Sequence, residues 1–232
     1  AAEKANLPLF CGSYPITPAT GILEELALHK SLGAKTVQAE DEIAGVCTAT
    51  SGPGATNLIT AIATAYMDSI PMVAITGQVK RELIGKDAFQ EVDIIGATLP
   101  FTKHSYLVTE VEDIPRIVNE AFHIATTGRP GPVLIDFPMD ALKEVCDEES
   151  NLDINLRGYK LPGKANESQI KKVCEALKKA KKPVLLAGGG ITLSDATNEV
   201  REFVKMTGIP VVSTMMGLGV IPTDDDMFYG MI

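Results

Sequence analysis

The chain has 232 residues, 45% of them apolar, and no low-complexity tract, which is enough to bury a sizeable core in one large or two medium domains and argues against a disordered or fibrous protein. Its 21 Lys and Arg against 30 Asp and Glu leave a formal charge of -9, a field that repels phosphate backbones, and no basic stripe with interleaved aromatics offsets it, so nucleic acid is not an expected partner. No apolar run approaches the roughly 18 to 20 residues that span a bilayer, and the four scattered cysteines form no CxxC pair, so neither a membrane segment nor a metal site is expected and the thiols read as reduced and structural.

The N-terminal AAEKANLPLF lacks the apolar core and cleavage site of a secretion signal, which suits a cytoplasmic-type protein and is equally compatible with an organellar one whose transit peptide has been removed. From there, short apolar runs bounded by Gly and Pro recur along the chain: 7–12, 45–50, 70–77, 131–138, 182–190 and 209–216. Near-continuous hydrophobic runs of this length suit parallel strands covered on both faces. Between them, 20–32, 54–67, 111–126, 167–180 and 194–207 carry apolar residues at helical spacing, with Ser194 read as the cap of the last. Alternating strand and helix predicts an α/β fold with right-handed crossovers. After Asp140 the pattern dissolves into EVCDEESNLDINLRGYKLPGKAN, a polar connection, so the expected organisation is a first domain over 1–143, a linker over 144–165 and a second α/β, Rossmann-like domain over 166–232.

The most informative local element is TATSGPGATNLITAIATAYMDSIP at 48–71, a strand running through a Gly-Pro-Gly turn into a helix. Such a turn lets backbone approach a ligand at the carboxyl end of a strand, where open α/β sheets place their sites, and it equally serves as a tight turn with no ligand. No GxGxxG, P-loop or GxSxG motif is present. His29, His104 and His123 occupy unrelated contexts, and Asp224, Asp225 and Asp226 read as a polar loop.

The run SGPGATNLITAIATAYMDSIPMVAITGQV, then IGKDAFQEVDIIGATLPFTKHSYLV and EVEDIPRIVNEAFHIATTGRPGPVLIDFPMD, closely resembles the pyrimidine-binding domain of the acetolactate synthase catalytic subunit. After the connection, KKPVLLAGGG, TGIPVVSTMMGLG and FYGMI resemble the start of that family's central domain. The resemblance extends from Gly45 to Ile232; the first 45 residues, ending in AEDEIAG, look more like the α-type region of 2-oxoacid:ferredoxin oxidoreductases, another thiamin-diphosphate branch. It implies a thiamin-diphosphate carboligase that decarboxylates pyruvate and joins it to a second 2-oxoacid in branched-chain amino-acid biosynthesis.

What the resemblance implies for single residues follows from the matching positions. Glu42, with Glu40 as the alternative, would hydrogen-bond the cofactor pyrimidine and favour its imino tautomer, a proton-transfer role suited to a buried carboxylic acid. Gln78 would face cofactor and substrate, Pro53 and Asn57 would flank the pyrimidine, and Phe89, Gln90 and Lys103 would line the substrate channel. Arg129, Gly188, Gly189, Gly190, Thr214 and Met215 would contact FAD. Mg²⁺ would be held by a Gly-Asp-Gly motif that this chain does not contain. A 2-oxoacid substrate, at least a dimer, and room for a regulatory subunit complete the implied set.

One departure lies beside the key glutamate. The family places a helix between that residue and the strand leading to SGPG, whereas Glu42 and Ser51 are nine apart, an interval that holds the strand alone and reaches at most ~30 Å. Against the family pattern the first domain is therefore expected to be shortened near 43–50 and the second, over 166–232, to be partial, which favours, as the alternative, a shortened or chimeric α/β binding module without turnover.

Overall fold

The computed structural model describes residues 10–13, 35–38, 45–145, 154, 156–161 and 163–232. The helix expected over 20–32, Glu40 and Glu42 lie outside them, as does Cys146. The chain divides into two compact units, 1–162 and 163–232, each with its own parallel sheet.

In the first unit the strands are β1 (Phe10–Ser13), β2 (Lys35–Gln38), β3 (Gly45–Ala49), β4 (Met72–Gln78), β5 (His104–Leu107) and β6 (Pro132–Pro138), in the order β2-β1-β3-β4-β6-β5 with every pairing parallel. All seven residues of β6 are buried, as a central strand with both faces covered must be. The pleat sorts them: Val133, Ile135 and Phe137 pack with Val73 against one layer, while Leu134 joins Met72 and Ala74 in the other. The first layer belongs to α4 (Ile114–Thr126), which buries Ile117, Ala121, Ile124 and Ala125 at helical spacing. The second is built by α1 (Pro53–Asn57), α2 (Ile59–Asp68) and α3 (Ile94–Thr98), through Ala55, Ile62, Ala65 and Ile94. The helix expected over 54–67 is thus two segments in near-continuous register, joined at Leu58, which keeps right-handed helical dihedrals.

Part of the stretch read as connection packs on this unit: Leu156 and Tyr159 lie against the α4 layer, and Tyr159 donates to the Thr127 carbonyl at 3.0 Å. The aromatic ring and phenol account for this attachment, because they bring an apolar face and a hydrogen bond to an otherwise polar segment.

The second unit holds α5 (Glu167–Lys179), β7 (Leu185–Ala187), α6 (Gly190–Leu193), α7 (Thr197–Thr207), β8 (Val211–Ser213) and β9 (Phe228–Met231). Its sheet order is β7-β8-β9, over a small core of Ala187, Val204, Val211, Val220 and Ile221. Ser194 does not cap α7, whose N-cap is Ala196 without a side-chain bond. The Ser194 hydroxyl instead donates back to the Gly190 carbonyl at 2.8 Å, because α6 ends at this serine and its free carbonyls are the nearer acceptors. Among the described residues no helix is long and apolar enough to cross a membrane.

Candidate functional site

The carboxyl ends of β3 and β4 meet at the Ser51-Gly52-Pro53-Gly54 turn. Gly52 has φ 61° and ψ -120°, a region that side-chain-bearing residues avoid. A Cβ at Gly52 would stand 2.8 Å from the Gln90 carbonyl oxygen and 2.9 Å from the Gln90 Cβ, so the turn presses against the 80–92 loop at a point with no room for a methyl. A Cβ on Gly77 would stand 3.4 Å from the Ser51 amide nitrogen, which places the same turn over the end of β4. Pro53, Asn57, Phe89 and Gln90 are all exposed here, and Phe89 is 89% exposed.

The loop that carries Phe89 and Gln90 is ordered by one carboxylate. Glu91 accepts from the amides of Ala88, at 2.8 Å, and Gly85, and these bonds hold its carboxyl pKa below the usual carboxylate range. Within the loop, Asp87 and Gln90 take left-handed backbone conformations at φ 54° and 60°.

Beneath the exposed residues lies a buried polar set. Thr76 and Asp136 are register partners on β4 and β6, so their side chains share a face, and the Thr76 hydroxyl donates to Asp136 Oδ1 at 2.7 Å. Gln78, two residues on and therefore on the same face, donates from Nε2 to Asp136 Oδ2 at 3.0 Å and to the Val92 carbonyl at 2.9 Å. Its Oε1 accepts from the Val79 amide at 2.8 Å. Burial pushes the Asp136 carboxyl up to about 6; the bonds from Thr76 and Gln78 oppose that rise and the nearby Asp93 carboxylate adds to it. Asp136 is absent from the sequence-derived candidates, although a lone acid inside the seven-residue apolar run PVLIDFP is a signal that reading could have used.

Arg81 ties three loops at this edge. Its Nε meets Asp140 Oδ2 at 2.8 Å, its Nη1 donates to the Thr109 carbonyl at 2.6 Å, and its Nη2 pairs with Glu144, joining the segments that follow β4, β5 and β6. The Arg81 bond holds the Asp140 carboxyl down at about 2, more than its desolvation raises it. A carboxyl lowered in the fold stabilises above its unfolded value near 4 and loses that contribution as the pH falls toward 2. Arg81→Leu is accordingly expected to lower the urea midpoint at pH 7 and to show a smaller deficit near pH 2, where the bond to the Thr109 carbonyl remains lost but the ion pair counts for less; an equal deficit at both pH values would show that the ion pair adds nothing.

Two candidates sit at the opposite, amino end of the sheet. Lys103 precedes β5, its amide donates to the Pro132 carbonyl at the start of β6, and its ammonium group donates to the carbonyls of Ile124 and Thr127 at the C-terminus of α4. Arg129 donates to the Ser69 hydroxyl at 2.7 Å and the Met67 carbonyl at 3.0 Å, at the C-terminal end of α2. Both cations thus meet the negative ends of helices, and the length of β4 separates them from Gln78 by about 20 Å along the strand.

In the second unit the glycine triplet and Thr214 come together at the carboxyl ends of β7 and β8. The Thr214 amide donates to the Ala187 carbonyl at 2.9 Å, and a Cβ on Gly188 would lie 3.8 Å from Thr214 Oγ1. Nothing stands within 4 Å of a Cβ built on Gly190, whereas one on Gly189 would strike Met216 at 2.8 Å. Met215 is 70% exposed. Ser213 is buried at the end of β8 and its hydroxyl has no hydrogen-bond partner. Among the described residues no group of three or more His, Cys, Asp or Glu is placed to hold a metal ion.

Comparison with known proteins places these features in a family context. Residues 16–97 match the family described as "Thiamine pyrophosphate enzyme, N-terminal TPP binding domain", and residues 170–232 match "Thiamine pyrophosphate enzyme, central domain". The first match begins inside the N-terminal stretch that looked more like the ferredoxin-dependent branch. The chain is 52% identical over 187 residues to the acetolactate synthase of Mycobacterium leprae, covering 81% of this chain and 30% of the relative. It is 47% identical over 230 residues to the acetolactate synthase large subunit of Corynebacterium glutamicum, covering 98% of this chain and 36% of the relative. A chloroplastic acetolactate synthase of Arabidopsis thaliana is 49% identical over 190 residues, 81% of this chain and 28% of the relative. The chain therefore spans about a third of the length of the curated relatives it matches.

Proposed function

From a chain that combines the N-terminal and central domains of thiamine pyrophosphate enzymes and is similar to the acetolactate synthase large subunit, we propose that it forms part of a thiamin-diphosphate-dependent carboligase that decarboxylates pyruvate and condenses it with a second 2-oxoacid. The observation that carries this reading is the carboxyl edge of the first sheet. There a Cβ-free turn at Gly52, the exposed Pro53, Asn57, Phe89 and Gln90, and the buried Gln78 converge on one end of β3 and β4.

Thiamin diphosphate, when bound, supplies the electron sink for decarboxylation and carbon–carbon bond formation. The residues of this chain do the rest at its pyrimidine end. Glu42 would hold a proton against the ring and so set the ring's tautomer. Pro53 and Asn57 would border the ring, Gln78 would orient the cofactor beside the substrate, and Phe89 and Gln90 would shape the approach and limit water. Lys103, at the amino end of the sheet, is proposed for the channel on the resemblance alone. No described residues fit Mg²⁺, and no step is assigned to it.

For FAD, the fit rests on the second unit. The buried, unpartnered Ser213 hydroxyl and the open space at Gly190 lie at the strand ends where Thr214 and Met215 sit. The proposed divisions are 1–143, a connection over 144–165, and 166–232. A homo-oligomer of at least two chains, with room for a regulatory subunit, follows from the same resemblance, in the cytoplasm or an organelle.

The test is acetolactate formation from pyruvate with thiamin diphosphate, Mg²⁺ and FAD, in a protein that joins this chain to a Gly-Asp-Gly segment able to hold Mg²⁺. Glu42→Gln is expected to lose product by roughly 10²- to 10⁴-fold, the usual worth of positioned proton transfer. No turnover in that joined protein sinks the carboligase reading. The nine-residue interval between Glu42 and Ser51 favours a second reading, a binding module without turnover; flavin retained by an inactive chain is its expected result.

A further inference from the structure

The Gln78 carboxamide is held by three bonds that allow one orientation. Both Nε2 hydrogens are taken, by the Val92 carbonyl at 2.9 Å and Asp136 Oδ2 at 3.0 Å, and Oε1 accepts from the Val79 amide at 2.8 Å. Turning the amide over would set Oε1 against two acceptors and Nε2 against a donor, three repulsive contacts in place of three bonds. The orientation depends in turn on Asp136, whose other oxygen is fixed by Thr76 at 2.7 Å. Thr76 is fully buried, Asp136 is 1% exposed and Gln78 is 7% exposed, so water does not compete for these positions.

We propose that Asp136 is a positioning residue that locks Gln78 with both amide hydrogens turned into the protein, so that Gln78 meets a ligand only through the remaining lone pair of Oε1. The group it recognises is therefore an N–H or O–H donor, such as a ring amine or a hydroxyl, and a bare carboxylate or carbonyl is refused. This deepens the carboligase reading and rests on it for the identity of the ligand, but the lock itself does not.

The lock also explains the buried acid. A side chain that accepts from Thr76 and from Gln78 at once must offer two acceptor oxygens, and only a carboxylate does so without rearrangement. Besides Thr76 and Gln78, the charged group that acts on Asp136 is Asp93, the N-cap of α3, whose carboxylate accepts from Gly96 at 2.8 Å. An asparagine at 136 can still satisfy Gln78 by turning its oxygen toward Nε2 and its amide toward the Thr76 hydroxyl, whereas alanine cannot.

The test follows the Gln78 side-chain amide by ¹H–¹⁵N NMR in the whole chain, its signals assigned by their loss in Gln78→Leu. Expected are two slowly exchanging hydrogens in the parent chain and in Asp136→Asn, and exchange about tenfold faster for one of them in Asp136→Ala, the worth of one hydrogen bond. In the parent chain these shifts move with pH near 6, where Asp136 titrates; in Asp136→Asn they stay still, a readout that survives if Asp136→Ala fails to fold. Gln78 signals that exchange freely, or that ignore both the substitution and the pH, overturn the lock whether or not pyruvate is consumed. Signals that respond as expected in this chain, together with no turnover in the protein that joins it to a Gly-Asp-Gly segment, leave the lock standing and sink the carboligase reading. In a chain with turnover, the rate should fall about tenfold in Asp136→Ala with unchanged circular dichroism and return in Asp136→Asn.

Discussion

Gly52→Ala is expected to destabilise the first unit by roughly 2–5 kcal/mol, the sum of a side chain forced into a glycine-only conformation and a methyl driven into a filled space. The two contributions can be separated. Gly85 has φ 80° and nothing within 4 Å of a Cβ built on it, whereas the Cβ of residue 52 would meet Gln90 at 2.8 Å. Gly85→Ala therefore carries only the conformational cost, about 1 kcal/mol, and the excess in Gly52→Ala measures the contact between the turn and the 80–92 loop. Urea unfolding of both variants gives the comparison. Equal losses would mean that the turn does not press on Gln90, and the carboxyl-edge site would lose the contact that closes it.

The second large effect is a pH dependence. Raising a carboxyl from an ordinary value near 3.8 to about 6 corresponds to about 3 kcal/mol between folded and unfolded states. For a group raised in the fold, the native state holds its proton longer, so the parent chain loses this stability as pH rises from about 4 to about 6 and has lost all of it above. Asp136→Asn carries no ionisable group there and keeps an amide in reach of both Thr76 and Gln78. Relative to the parent, it should gain up to about 3 kcal/mol between pH 4 and pH 7. The Arg81–Asp140 pair, acting in the opposite direction, is confined to lower pH. Urea midpoints for parent and variant at pH 4, 5, 6 and 7 read the difference directly; curves that stay parallel would place the Asp136 ionisation outside this range.

Much of the fold was legible from local pattern. Strands β3, β4, β6, β7 and β8 fall within the apolar runs marked by Gly and Pro, and α4, α5 and α7 fall within the segments of helical spacing. These elements lie inside apolar runs bounded by Gly and Pro or inside long segments of helical period, so the local pattern identifies them. The short strands β2, β5 and β9, and the one-turn helix α3, escaped the reading. Each is four or five residues long, and their pairing with a neighbouring strand or packing on a layer supplies what their own sequence does not. The cap assigned to Ser194 failed for a related reason: two helices meet there, and the hydroxyl serves the end of the first.

The candidate site divides along the same line. The sequence by itself determined the α/β class, the Gly-Pro-Gly turn at the end of a strand, and the family resemblance of the residues around it. A turn and an amphipathic period are carried by neighbours in the chain, and their physics is local. Only the tertiary structure decided that Gln78 is buried with its donors spent, that Asp136 stands across from Thr76, and that Lys103 and Arg129 cap helices at the far end of the sheet. Those facts depend on strand register and on which end of a parallel sheet each loop reaches, and no residue carries that information alone: a one-residue slip between β4 and β6 would turn Asp136 away from Gln78.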